Sequence, residues 1–269
     1  SWGLPVPTPP LVATVPGALP EAAYGVVTTF VRSFGQESGA TAMVTAQGTG
    51  LNITFTDSPP ADAAYRRVYV TTPDGEVAYL VGQFDAATPV VQYLAPAAST
   101  LAVETQFCGP PPAGHILAEF YGHVLIASGN HLFHTKPYNY ELVDFRTNVV
   151  SFAGPIRIVA PVNGGVYVAT DRETYFLAGT APTAWVKSTV AAYGGVLGTR
   201  AEAVGGLVGK GVGGRAQVWM SDYGVVVGAD NGSFVNLTLD RYIPVSAQSG
   251  TSFVRVVDGS YYYIANLFT

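Results

Sequence analysis

Charge is what this 269-residue chain has least of. Asp, Glu, Lys and Arg make up 12% of it, about half the roughly 25% of an ordinary soluble domain. So sparse a charge is typical of surfaces covered by other subunits, because solubility alone favours more. A merely neutral soluble domain is the plain alternative. Positive excess is missing too. The net charge is −5, which excludes the broad basic footprint of proteins that hold nucleic acid or anionic lipid. Only a local contact through a few Arg residues is left. Cysteine occurs once, at Cys108, so no internal disulfide can form, and a lone Cys is ordinarily a small buried hydrophobe. No run of about 20 apolar residues exists, so a membrane-spanning helix is not expected. Ser1–Leu4 lack the basic and apolar regions of a signal peptide.

What the chain does have is Gly, Pro, Val, Thr and aromatic residues, with 48% hydrophobic content, 31 Gly and 19 Pro. That is the composition of short strands joined by tight turns. In the second half one pattern recurs: a Gly turn, a short apolar strand, then a small or polar turn. Its copies lie at Tyr121–His134, Asn163–Leu177, Gly213–Val227 and from Asp258 to Ile264. The turn glycines Gly122, Gly165, Gly214 and Gly259 are 43, 49 and 45 residues apart. A period of roughly 40–50 residues with several strands per unit is the signature of β-propeller blades. Such units cannot bury their own apolar faces alone and must stack.

Taken in order, residues 1–20 carry six prolines. They predict an extended, polyproline-like lead-in rather than a sheet strand. Residues 21–104 alternate in short strands at 8–12-residue spacing, with a Pro73-Asp74-Gly75 turn, which predicts a small sandwich of the immunoglobulin or fibronectin-III kind. Residues 95–104 read as a linker, and Gly109–Gly114 as a break. Residues 105–269 then hold about three and a half blades. Residues 141–152 are expected to form the outer part of the first. The fourth stops after two strands. Residues 1–20 are too Pro-rich to complete it, so a preceding segment of a longer chain or another subunit is expected to do so, since an open blade leaves bare edges.

No constellation for catalysis, cofactor or metal emerges. Gly209–Gly214 matches Gly-x-Gly-x-x-Gly, but a strand follows instead of the helix that phosphate binding requires. His131 and His134 lie three apart on a strand and so face opposite sides. With His115 and His123 elsewhere, metal binding is not expected. Asp171 and Asp222 sit at turns; acids there are ordinarily turn formers, though a pair across a blade face could serve glycoside hydrolysis. Arg66-Arg67 is the only basic pair, either a docking contact or one residue in solvent and one paired. Asn52, Asn231 and Asn236 stand in Asn-x-Ser/Thr triplets, which carry no weight without secretion. Dense aromatics, among them Tyr138, Tyr140, Tyr175, Tyr193, Tyr223, Tyr242, Tyr261, Tyr262 and Tyr263, suit core and inter-subunit packing, or stacking on sugars.

The stretch Ala23–Phe30 with Gly35–Gly39 resembles sandwich modules of bacteriophage tail proteins. Ala118–Asn130, Tyr138–Asp144 and Pro161–Gly179 resemble propeller-bearing virion proteins at the distal end of phage tails: nozzle, hub or tail-stabilisation proteins. The likeness covers most of residues 20–240. In such proteins a segment like Trp2–Pro5 follows an earlier blade, and the sandwich is inserted into the propeller. The resemblance implies a non-enzymatic structural protein of the virion tail, without cofactor. It would form a ring with copies of itself and contact other tail proteins (adaptor, fibres), with passing contact to DNA in the channel. A receptor- or carbohydrate-binding module of the tail is the alternative, and a glycan hydrolase a third.

Overall fold

A computed structural model describes residues 2–204, 206, 214–239, 241 and 247–269. The described chain is all-β apart from short 3-10 structure, at Pro182–Ala184 and at residue 206. It divides into two compact units, residues 1–111 with 139–147, and residues 112–138 with 148–269.

The first unit is a two-sheet sandwich. Its strands are β1 (Leu11–Thr14), β2 (Ala22–Val31), β3 (Val44–Gly48), β4 (Leu51–Thr54), β5 (Tyr65–Thr71), β6 (Ala78–Asp85) and β7 (Val90–Tyr93). One sheet has the order β1-β4-β7 and the other β3-β2-β5-β6. Alternate side chains from both sheets meet in one core, Tyr24, Val26, Val68 and Val70 against Leu51, Ile53 and Val91. This is the period-two alternation read from the sequence. A small strand, β8 (Cys108–Gly109), also belongs to this unit.

Three local readings of this half are corrected. Leu11–Thr14, inside the Pro-rich lead-in, does pair, residue for residue, with Thr54–Leu51. Its four residues contain no Pro, and an edge position needs donors on one side only. Residues 101–103 are not a free linker. Leu80 N donates to Leu101 O and Val103 N to Ala78 O, so the stretch runs along the edge of β6. Neither residue of Arg66-Arg67 is left in solvent; each is paired with a carboxylate. Arg66 is buried, 2.5 Å from Asp57, with its guanidinium over the rings of Phe30 and Phe55. Arg67 lies 2.8 Å from Glu37, which also accepts hydrogen bonds from Thr29 and Tyr69.

The second unit consists of blades. The first is β9 (Ile116–Phe120), β10 (His123–Ser128), β11 (His131–His134) and, after β12 (Val143–Asp144), β13 (Val149–Ser151). Residues 141–148, expected in the outer part of this blade, depart from that reading: β12 pairs with β8 of the sandwich unit, and β13 alone forms the fourth strand. The second blade is β14 (Ile156–Val162), β15 (Gly165–Thr170), β16 (Thr174–Ala178) and β17 (Val186–Ala191). The third is β18 (Ala201–Val204), β19 (Arg215–Ser221), β20 (Gly224–Ala229) and β21 (Phe234–Asn236). Each is a four-stranded antiparallel meander in chain order. A hairpin of β22 (Ser249–Val257) and β23 (Ser260–Phe268) follows, a sheet of two strands among the described residues.

Strands buried on both faces explain why the sequence is so apolar here. On the second blade, Val159, Val166, Val168, Tyr175 and Leu177 pack against Phe120, Leu125 and Leu132 of the first. Their alternates Ile158, Ala160, Tyr167, Ala169 and Phe176 pack against Trp219 and Val226 of the third. At Gly228 a Cβ would stand 2.5 Å from the Tyr167 ring, so only glycine lets the two blades approach this closely. The Tyr167 hydroxyl lies 2.9 Å from both Ala229 O and Ser233 O. Polar ties join the blades at their turns. Tyr121 OH donates to Asn163 O, and Asp230 accepts from Asn163 N, Asn163 Nδ2 and Arg215 N.

Candidate functional site: an open fourth blade

The hairpin β22–β23 begins with its turn. Asp258-Gly259 takes φ +48° and +75°, both positive, as a two-residue type I′ turn demands, and Asp-Gly is among the sequences best suited to it. Nine consecutive pairs follow without a bulge, from Val257↔Ser260 to Ser249↔Phe268. The inward face is anchored. Val254 and Tyr263 pack on the core of the third blade, Ala203, Ala216, Val218 and Val227. Tyr263 OH and Ser252 Oγ each donate to Thr199 O at 2.6 Å, and Gly250 N donates to Leu197 O at 2.8 Å. Burial raises the pKa of the Tyr263 phenol above its ordinary value, so it stays a neutral donor at any ordinary pH.

The outward face is bare. Phe253 is 55% exposed, Tyr262 52%, Ile264 42% and Phe268 47%. Phe253 pairs with Ile264, so these side chains share one apolar surface. The outer edge of β23 also has no strand partner among the described residues. From Ser260 to Phe268 that edge carries no charge, no Pro and no bulge. Natural edge strands carry such features to prevent pairing. Nine residues of edge and the face beside it are thus both presented for association. The arrangement offers backbone donors and acceptors along the edge and an apolar sheet face.

The residues singled out in sequence are dispersed. Asp171 and Asp222 occupy the equivalent turn of successive blades, β15–β16 and β19–β20, yet neither lines any of the five principal cavities. Asp171 lies 3.8 Å from Arg172. His131 bonds Ser151, while His134 is buried beside His123 and Trp185. Burial lowers the His134 pKa to about 4, so its ring is neutral. Among the described residues no group of three or more His, Cys, Asp or Glu could hold a metal, and no helix is long and apolar enough to cross a membrane. Gly209–Gly213 and Tyr242 lie outside the described residues. Of the aromatics, Tyr175 is core, Tyr193 stacks on Tyr223 at 5.2 Å, and Tyr138 is exposed. Sequence reasoning located the β22–β23 hairpin from its Asp258-Gly259 turn. It missed which side chains would be left bare, a matter of neighbours rather than pattern.

No protein-family model matches the chain, and no curated protein matches it significantly. Among solved structures, BBS1N in complex with ARL6DN aligns at 12% identity over 90% of this chain and 78% of that one, with a TM-score of 0.36. The extracellular domain of a putative one-component system from B. thetaiotaomicron aligns at 12% identity over 91% of this chain and 37% of that one, TM-score 0.34. Kluyveromyces lactis Hsv2 aligns at 10% identity over 83% and 86%, TM-score 0.24. Likeness this remote carries no functional argument.

Proposed function

We propose that the chain is a non-catalytic structural component of a virion tail, assembling with copies of itself and with other tail proteins into a ring at the tail end. One observation supports the assembly part of this reading: the outward face of β22–β23 leaves Phe253, Tyr262, Ile264 and Phe268 exposed beside an uncharged edge. An uncharged nine-residue edge is a template for strand addition, in which main-chain hydrogen bonds supply affinity and alternate side chains supply selectivity. The low charge of the chain fits a surface that subunits cover. The tail location rests on the resemblance of residues 23–39 and 118–179 to tail modules. Sedimentation velocity on the purified chain, alone and mixed with virion proteins, tests it. The expected result is a concentration-dependent higher-order species. A monomer under all these conditions, with the protein absent from purified particles, overturns the reading.

A further inference from the structure

Away from the open blade, the second unit holds a cleft of about 420 Å³ where the inner strands of three successive blades begin. His115 and Leu117 reach it from the start of β9, Arg157 and Val159 from β14, and Leu197 and Arg200 from the loop before β18. Most arginines of the molecule are paired. Arg32, Arg66, Arg67, Arg146, Arg172 and Arg215 each have a carboxylate within 4 Å. Arg157 and Arg200 have none, and both line this one cleft; among the described residues Arg241 and Arg255 have none either, but neither lines it.

Arg200 makes a single hydrogen bond, from Nη1 to Val159 O at 3.2 Å, which leaves most of its five-donor fork unused. Desolvation and the positive Arg215 nearby push its pKa down, and Glu202 offsets this only in part. Glu202 is itself engaged by Arg215 at 2.8 Å. His115 Nε2 lies 2.7 Å from Ile156 O. A carbonyl only accepts, so Nε2 carries the hydrogen, the ring is held, and Nδ1 is the free atom. In a chain whose net charge is −5, two guanidiniums left without carboxylates in one cleft call for an anion from outside.

We infer that this cleft is a binding site for a phosphate group, held by Arg157 and Arg200 with the His115 ring beside it. Two positive forks match a phosphate dianion in charge, and guanidinium geometry suits its oxygens. The source is either free phosphate or the phosphodiester of a nucleic acid strand.

The test is a titration of inorganic phosphate with the full chain at fixed ionic strength, read by phosphorus NMR line broadening. Saturable broadening is expected, with at least a tenfold weaker affinity in the double variant R157Q/R200Q. R157K/R200K, which keeps the charge but loses the forks, should fall between. Thermal unfolding of the variants should match the parent, since both side chains lie at the surface of the cleft. A short single-stranded oligonucleotide then separates the sources: displacement of phosphate at strand concentrations far below that of the ion assigns the phosphodiester, and its failure to displace assigns free phosphate. No broadening, or equal broadening with folded R157Q/R200Q, overturns the site.

Discussion

The second and fourth blades begin from the same sequence recipe and end differently. In both, a Gly-containing turn joins the first strand to the second, and both strands are rich in apolar residues. In the second blade nearly every residue of β14, β15 and β16 is buried. In the fourth, β23 alternates half-buried and exposed along its length after two exposed residues at its start. The difference lies in the neighbours. Blade two is flanked on both faces, by Leu125 and Leu132 on one side and by Trp219 and Val226 on the other. Blade four is flanked on one face, by the third blade. A blade's burial is therefore a property of its stack, as expected for units that contact only their neighbours.

That comparison can be broken from the closed side first. Trp219 is fully buried between the second and third blades. Trp219→Ala is expected to lose about 3–5 kcal/mol in chemical denaturation, the range for a large aromatic cavity. An effect below that of an exposed-site substitution would mean that this interface is not packed as described.

Acid provides the next contrast. His134 lies in the first blade and is 1% exposed, with its pKa lowered to about 4 by burial. Above the unfolded value of about 6.5, both states are neutral and stability is complete. As pH falls from 6.5 toward 4 the unfolded chain takes up the proton and the folded one does not, so stability drops by up to about 3 kcal/mol. His134→Leu should flatten this acid limb in urea midpoints measured across pH 4–7. An unchanged slope would assign the loss elsewhere.

The polar ties between blades come third. Asp230→Ala removes the acceptor for Asn163 and Arg215 and is expected to cost about 1–2 kcal/mol, read by thermal unfolding. A neutral result would show that these exposed bonds are exchanged for water without loss.

The open blade should respond least in stability and most in assembly. I264K/F268K places two charges on the bare face. It is expected to change the unfolding free energy of the dissociated chain by less than about 0.5 kcal/mol, as surface changes do. The higher-order species expected in sedimentation should disappear. Assembly that persists in this variant would move the interface off β23.

Much of the architecture was legible in the residues, for stated reasons. The turn glycines located blade hairpins because a tight turn forces positive φ, seen at Gly122, Gly214 and Gly259. Strand alternation located the sandwich because the side-chain period is fixed at two. Partners were not legible. Nothing local announced that Val143 would pair with Gly109, that residues 101–103 would lie along β6, or that Arg66 would be drawn into the sandwich core by Asp57. Those pairings join residues distant in sequence, and Arg66 looks like any surface arginine until its neighbours are known. Arg157 and Arg200 were equally silent: 43 residues apart, they share a cleft only because inner strands of successive blades begin at the same end.

By itself, the sequence determined the fold class and the repeat, since these follow from local turn chemistry and from periodicity along the chain. Only the tertiary structure decided which faces are closed and which stay open. Burial depends on what stands opposite, and an apolar strand is written the same way whether or not a neighbour has been provided for it.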